Sequence, residues 1–75
     1  MPLSQLKPGQ EGKIIEIVGG SGVGRRLDAM GVRVGKKVKR ISRGLMRGPV
    51  VFEIDGMQMA LGLGIAEKIL VKILR

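Results

Sequence analysis

The chain has 75 residues, no cysteine, no histidine and a formal charge of +8 at pH 7. Those counts exclude disulfides, thiol nucleophiles and His/Cys zinc sites, and the length allows one small domain, 1–75, with a thin core, because about 60% of the unfolded surface is buried at this size. No apolar run approaches the ~20 residues that span a bilayer, and Met1-Pro2-Leu3-Ser4-Gln5 lacks the basic and apolar regions of a signal peptide, so a cytoplasmic location is expected.

Lys13-Ile14-Ile15-Glu16-Ile17-Val18 reads as the first strand. A glycine run from Gly19 to Gly24 follows, and its Gly-x-x-x-x-Gly layout imitates a phosphate-binding loop. The imitation is incomplete. Arg25 stands where such a loop needs Lys, Arg26 where it needs Ser or Thr, and the chain contains no threonine. The parallel sheet of several βαβ units, each ~30 residues or more, does not fit either. The run is therefore expected to be a flexible connection. Val23, Leu27 and Met30 lie at helical spacing, and Gly31 is placed to stop a helix of about two turns. Arg25 and Arg26 are expected to begin that helix, against the sign its dipole prefers.

A second strand is expected near Lys36–Ser42, where Val38 and Ile41 are out of phase and a bulge or short pairing follows. Arg43-Gly44-Leu45-Met46-Arg47-Gly48-Pro49 reads as a loop. The clearest signal comes next. Val50, Phe52 and Ile54 alternate with polar or exposed positions, as do Met57, Met59 and Leu61, across an Asp55-Gly56 turn. Both turn positions need positive φ, which suits this dipeptide. The register pairs Ile54 with Met57, Phe52 with Met59 and Val50 with Leu61, all six expected on one inward face. A one-turn helix within Gly62–Lys68, with Ile65 and Ile69 inward, precedes the last strand, Ile69–Leu74. The order predicts a mainly β fold: a small five-stranded SH3-like barrel with a short helix in the first long connection and a one-turn helix before the last strand.

Nine basic residues and one acid lie between Arg25 and Arg47, so this third of the chain carries the whole net charge. Such a field attracts nucleic acid, anionic lipid or an acidic protein surface. Catalysis is not expected, because the six carboxylates are scattered and no nucleophile–base arrangement is present. Glu53 and Asp55 form the single local acidic pair and read as solubilising. Of four methionines that could offer thioether sulfur, Met57, Met59 and Met30 are expected to face apolar surroundings and Met46 to be exposed. No metal or cofactor site is predicted. The single aromatic, Phe52, is expected to point inward, which disfavours polyproline recognition and base stacking.

Gly9 and Gly12 before the first strand, Arg26-Leu27-x-x-Met30-Gly31-Val32-x-x-Gly35, Gly48-Pro49-Val50, Ala60-Leu61, Ala66 and Ile69 together resemble the ferrous iron transport protein A family (FeoA-like domains). The likeness covers nearly the whole chain, and Arg-Leu-x-x-Met-Gly is its most specific element. Val34 departs from a frequent proline, and Gly62-Leu63-Gly64 from a more polar helix start. The resemblance implies a non-enzymatic adaptor of bacterial-type ferrous iron uptake, partnered with a membrane ferrous-iron permease that carries a GTP-binding domain. Partner-facing residues are then expected at Arg25, Arg26, Leu27 and Met30, and at Arg43, Leu45, Met46 and Arg47 near an anionic membrane surface. Leu27 and Met30 have a plainer role available, sealing the open side of the barrel. Rival readings are a basic barrel binding RNA or DNA phosphates, resting on charge, and a small Fe²⁺ chaperone.

Overall fold

A computed structural model describes residues 1–41 and 49–74. Five strands, β1 (Glu11–Ile17), β2 (Lys37–Arg40), β3 (Val50–Ile54), β4 (Met57–Leu61) and β5 (Ile69–Leu74), form one antiparallel sheet in the order β4-β3-β2-β1-β5. Helix α1 (Ser21–Ala29) fills the β1–β2 connection and the one-turn α2 (Leu63–Ala66) the β4–β5 connection. This is the SH3-like architecture that the strand and turn signals predict.

The β3–β4 hairpin has the expected register, with Val50 opposite Leu61, Phe52 opposite Met59 and Ile54 opposite Met57. Asp55 and Gly56 take φ of 53° and 82°, the positive pair that closes a two-residue turn in step with strand twist. Val50, Phe52, Ile54 and Leu61 are buried. Met57 is not: it is 64% exposed, which corrects the inward placement of all six apolar residues. β4 stands at the edge of the sheet, paired with β3 alone, and Met57 adjoins its turn. Met30 is also exposed, against the expectation that it faces apolar surroundings.

The other predicted strands shift by a residue or two. β1 begins at Glu11 rather than Lys13, and β2 is trimmed to four residues. A register shift between Ile14 and Glu16 leaves Ile15 without a partner and exposed. β5 runs over the predicted span.

Helix α1 differs most from expectation. It starts at Ser21 after Gly20, so Gly22 and Gly24 are helical and Arg25 and Arg26 do not begin it. Arg26 lies in the last turn, where a cation suits the dipole. Interior glycines each cost roughly 0.5–1 kcal/mol relative to alanine. Val23, packed against the core, and buried Leu27 offset that cost by packing. The helix ends as the sequence suggests. Gly31 has φ of 87° and donates to the Asp28 carbonyl at 3.0 Å, while Val32 N–H donates to the Leu27 carbonyl at 2.8 Å. That bond pair is a Schellman stop, with Leu27 and Val32 both buried in the core beneath it.

The N-terminal segment carries core residues that periodicity alone does not reveal. A 3-10 turn at Leu3–Gln5 buries Leu3, and Leu6 after it is equally buried. Met1 exchanges backbone hydrogen bonds with Val71, and the Arg40 guanidinium donates to the Leu6 carbonyl. One cation of the basic segment thus holds the N-terminal segment onto the sheet.

Candidate docking groove

A groove of about 480 Å³ opens between α1, the end of β4 and α2. One face of α1 supplies Gly22, Val23, Arg26, Leu27 and Met30; β4 supplies Ala60 and Leu61; the turn into α2 supplies Gly62 and Ile65. The α1 positions recur at three- and four-residue intervals, as a single helical face requires. Leu27 and Leu61, 2% and 4% exposed, form the floor, and Val23 and Ile65 are half-buried walls packed on the core. Met30, 41% exposed, stands at the rim with Arg26, which is also exposed. Space exists because small residues line it: a side chain built onto Gly22 or Gly62 would meet nothing within 4 Å.

Three of the predicted site residues, Arg26, Leu27 and Met30, therefore converge on one groove. Leu27 is sunk into the core, the sealing role, while Met30 keeps an open face. Arg25 is exposed but does not line the groove. Arg43, Leu45, Met46 and Arg47 lie outside the described residues. Gly22, Val23, Ala60, Leu61, Gly62 and Ile65 also line the groove and are not among the residues that the sequence points to. The available signal was the Ala60-Leu61 pair, which belongs to the family pattern but carries no chemistry of its own.

The basic segment is less uniform in space than in sequence. Arg33 pairs with Asp28 (Nε–Oδ1 2.9 Å), Lys36 with Asp55 (3.1 Å) and Lys37 with Glu11 (2.9 Å). The hydrogen bond from Lys37, and then its charge, hold the Glu11 carboxyl below the ordinary glutamate range. Among the described residues, Arg25 and Arg26 have no such acidic partner. Of these two, Arg26 stands at the groove rim. Chemically, the site offers an apolar trough with one guanidinium beside it, a binding surface without a nucleophile or a base. Among the described residues no group of three or more His, Cys, Asp or Glu could hold a metal ion.

Known proteins share this fold. The FeoA domain family matches residues 1–73. A Methanocaldococcus jannaschii protein provisionally named Fe(2+) transport protein A is 38% identical over 71 residues, 95% of this chain and 84% of that protein. The crystal structure of an iron uptake regulatory protein, FeoA, superposes with a TM-score of 0.90 at 30% identity, over 99% of this chain and 97% of that one. The FeoA protein of Chlorobium tepidum gives 0.91 at 31% identity, over all of this chain and 71% of its own. With a match across nearly its whole length and the Arg26–Gly31 motif set in the groove wall, the chain belongs to the FeoA family.

Proposed function

We propose that this protein is a non-enzymatic accessory component of ferrous iron uptake that docks on the membrane ferrous-iron permease or on its GTP-binding domain. The observation that carries the reading is the groove, whose α1 wall is built from Arg26, Leu27 and Met30 of the most specific family motif. Membership of the FeoA family and the relative named for Fe(2+) transport support the pathway. A pocket of this volume with apolar walls and one placed charge is of the kind that anchors a partner side chain. No helix among the described residues is long and apolar enough to cross a membrane. In this scheme the permease supplies the membrane passage and the docking face is cytoplasmic.

The test is binding of the purified protein to the detergent-solubilised permease and, separately, to its GTP-binding domain. Met30→Asp and Ala60→Trp, which put a charge at the rim and bulk in the trough, should each weaken binding by about tenfold or more, equivalent to at least about 1.4 kcal/mol. Circular dichroism confirms that each variant is folded. Wild-type affinity in both folded variants, or no binding by the wild type, overturns the proposal.

A further inference from the structure

We infer that the groove takes a bulky aliphatic or aromatic side chain from a partner segment that carries a carboxylate beside it. The inference rests on the docking reading above and adds the chemistry of the occupant. Leu27 and Leu61 at the floor and Val23 and Ile65 at the walls present hydrocarbon only, so the inserted group is apolar. Ala60 and Gly62 leave the trough wide enough for a branched or ring side chain rather than a methyl group.

The charge beside it comes from Arg26. The acid next in sequence on the same helix, Asp28, is taken by Arg33 through its side chain at 2.9 Å, and Arg33 Nη2 also donates to the Asp28 carbonyl at 3.2 Å. Two residues apart on the helix, Asp28 and Arg26 do not face each other, so among the described residues Arg26 has no acidic partner. What remains is a planar donor fork at the edge of an apolar trough, which suits a carboxylate with two acceptor oxygens. Arg25 adds long-range attraction without touching the occupant.

Two other occupants fit less well. A nucleic-acid backbone has phosphates for Arg25 and Arg26 but nothing apolar to fill the floor, and Phe52, the single aromatic, is buried and cannot stack a base. An anionic bilayer presents a flat array of headgroups to what is a recess between a helix and a sheet edge.

The experiment selects binders from a library of short random peptides, using the full chain and three variants. The wild type should enrich Leu, Ile, Met or Phe with Asp or Glu within one or two positions. Arg26→Glu should keep the apolar preference, exchange the acidic flank for Lys or Arg, and weaken the wild-type peptides by about tenfold. Arg25→Glu should weaken them several-fold less than that, and Met30→Asp should lose the apolar anchor. The inference is overturned by enrichment without acidic flanks, by an unchanged preference in Arg26→Glu, or by no enrichment. It is overturned equally if duplex RNA or phosphatidylglycerol vesicles bind the wild type more tightly than any selected peptide and lose that binding in Arg26→Glu. Should the permease still bind through the groove while the flank preference fails to reverse, this inference falls and the docking proposal stands. A reversed preference with no affinity for the permease has the opposite meaning.

Discussion

The β3–β4 hairpin and helix α1 lie on either side of the groove and are built on opposite terms. In the hairpin, β3 alternates buried β-branched and aromatic residues and leads into a turn dipeptide suited to its backbone, so local preference there agrees with the fold. The helix has two interior glycines, no side-chain N-cap bond and only nine residues. An isolated segment of that kind would not hold together in water. It exists because Val23 and Leu27 reach the core and the Gly31 stop locks its end. One wall of the groove is therefore locally encoded, and the other is held by its packing and its terminal stop. Amide exchange should show this directly, with Gly22 to Arg26 opening by lower-energy fluctuations than Val51 to Glu53.

The contrast can be broken hardest in the scaffold. Phe52→Ala removes the largest fully buried side chain and should cost about 3–5 kcal/mol, measured by urea denaturation, a major share of the stability of so small a chain. Gly56→Ala tests the turn: at φ of 82° an L side chain is strained, and a loss of about 1–2 kcal/mol is expected without a change in the denaturant slope. A neutral result would mean that tertiary packing rather than the Asp55-Gly56 turn sets the hairpin.

The helix should respond with the opposite sign. Gly24→Ala meets no neighbouring atom, and it should raise stability by about 0.5–1 kcal/mol and slow amide exchange in α1. If it destabilises instead, the first turn of α1 is not helical in solution. The smallest effect belongs to the sheet surface. Glu11 has a carboxyl pKa lowered by Lys37, so its contribution is present above the unfolded-state value and disappears as pH falls through the folded one. Thermal melts of wild type and Glu11→Gln between pH 7 and pH 3 should converge at the acid end. High salt should shrink the difference throughout, because the pair is solvent-exposed.

What could be read from the sequence tracks the same divide. The hairpin register and β5 follow from period-two alternation and turn chemistry, which are local. The start of α1 does not, because glycine reads as a loop former and the packing that makes Gly22 and Gly24 helical comes from distant strands. Leu3 and Leu6 give no core signal in the sequence, because a 3-10 turn and the residue after it are too short to show a period. Met57 obeys the alternation yet lies in solvent, since alternation names a face and cannot say how far the core extends beneath it. Of the groove, the helix half is legible through Arg26, Leu27 and Met30. The strand half is not, for Ala60 and Gly62 contribute by the room they leave.

That room has a consequence for how recognition can change. The depth and width of the trough are governed by Gly22, Ala60 and Gly62, three exposed positions with little or no side chain and no part in the core. Adding a methyl or an isopropyl group at any of them reshapes the cavity while leaving Leu27, Leu61 and the sheet untouched. On the docking reading proposed above, partner choice can therefore change without rebuilding the buried core. An engineered pair, with bulk added here and trimmed from the partner's anchor, should pair with itself and ignore the parent.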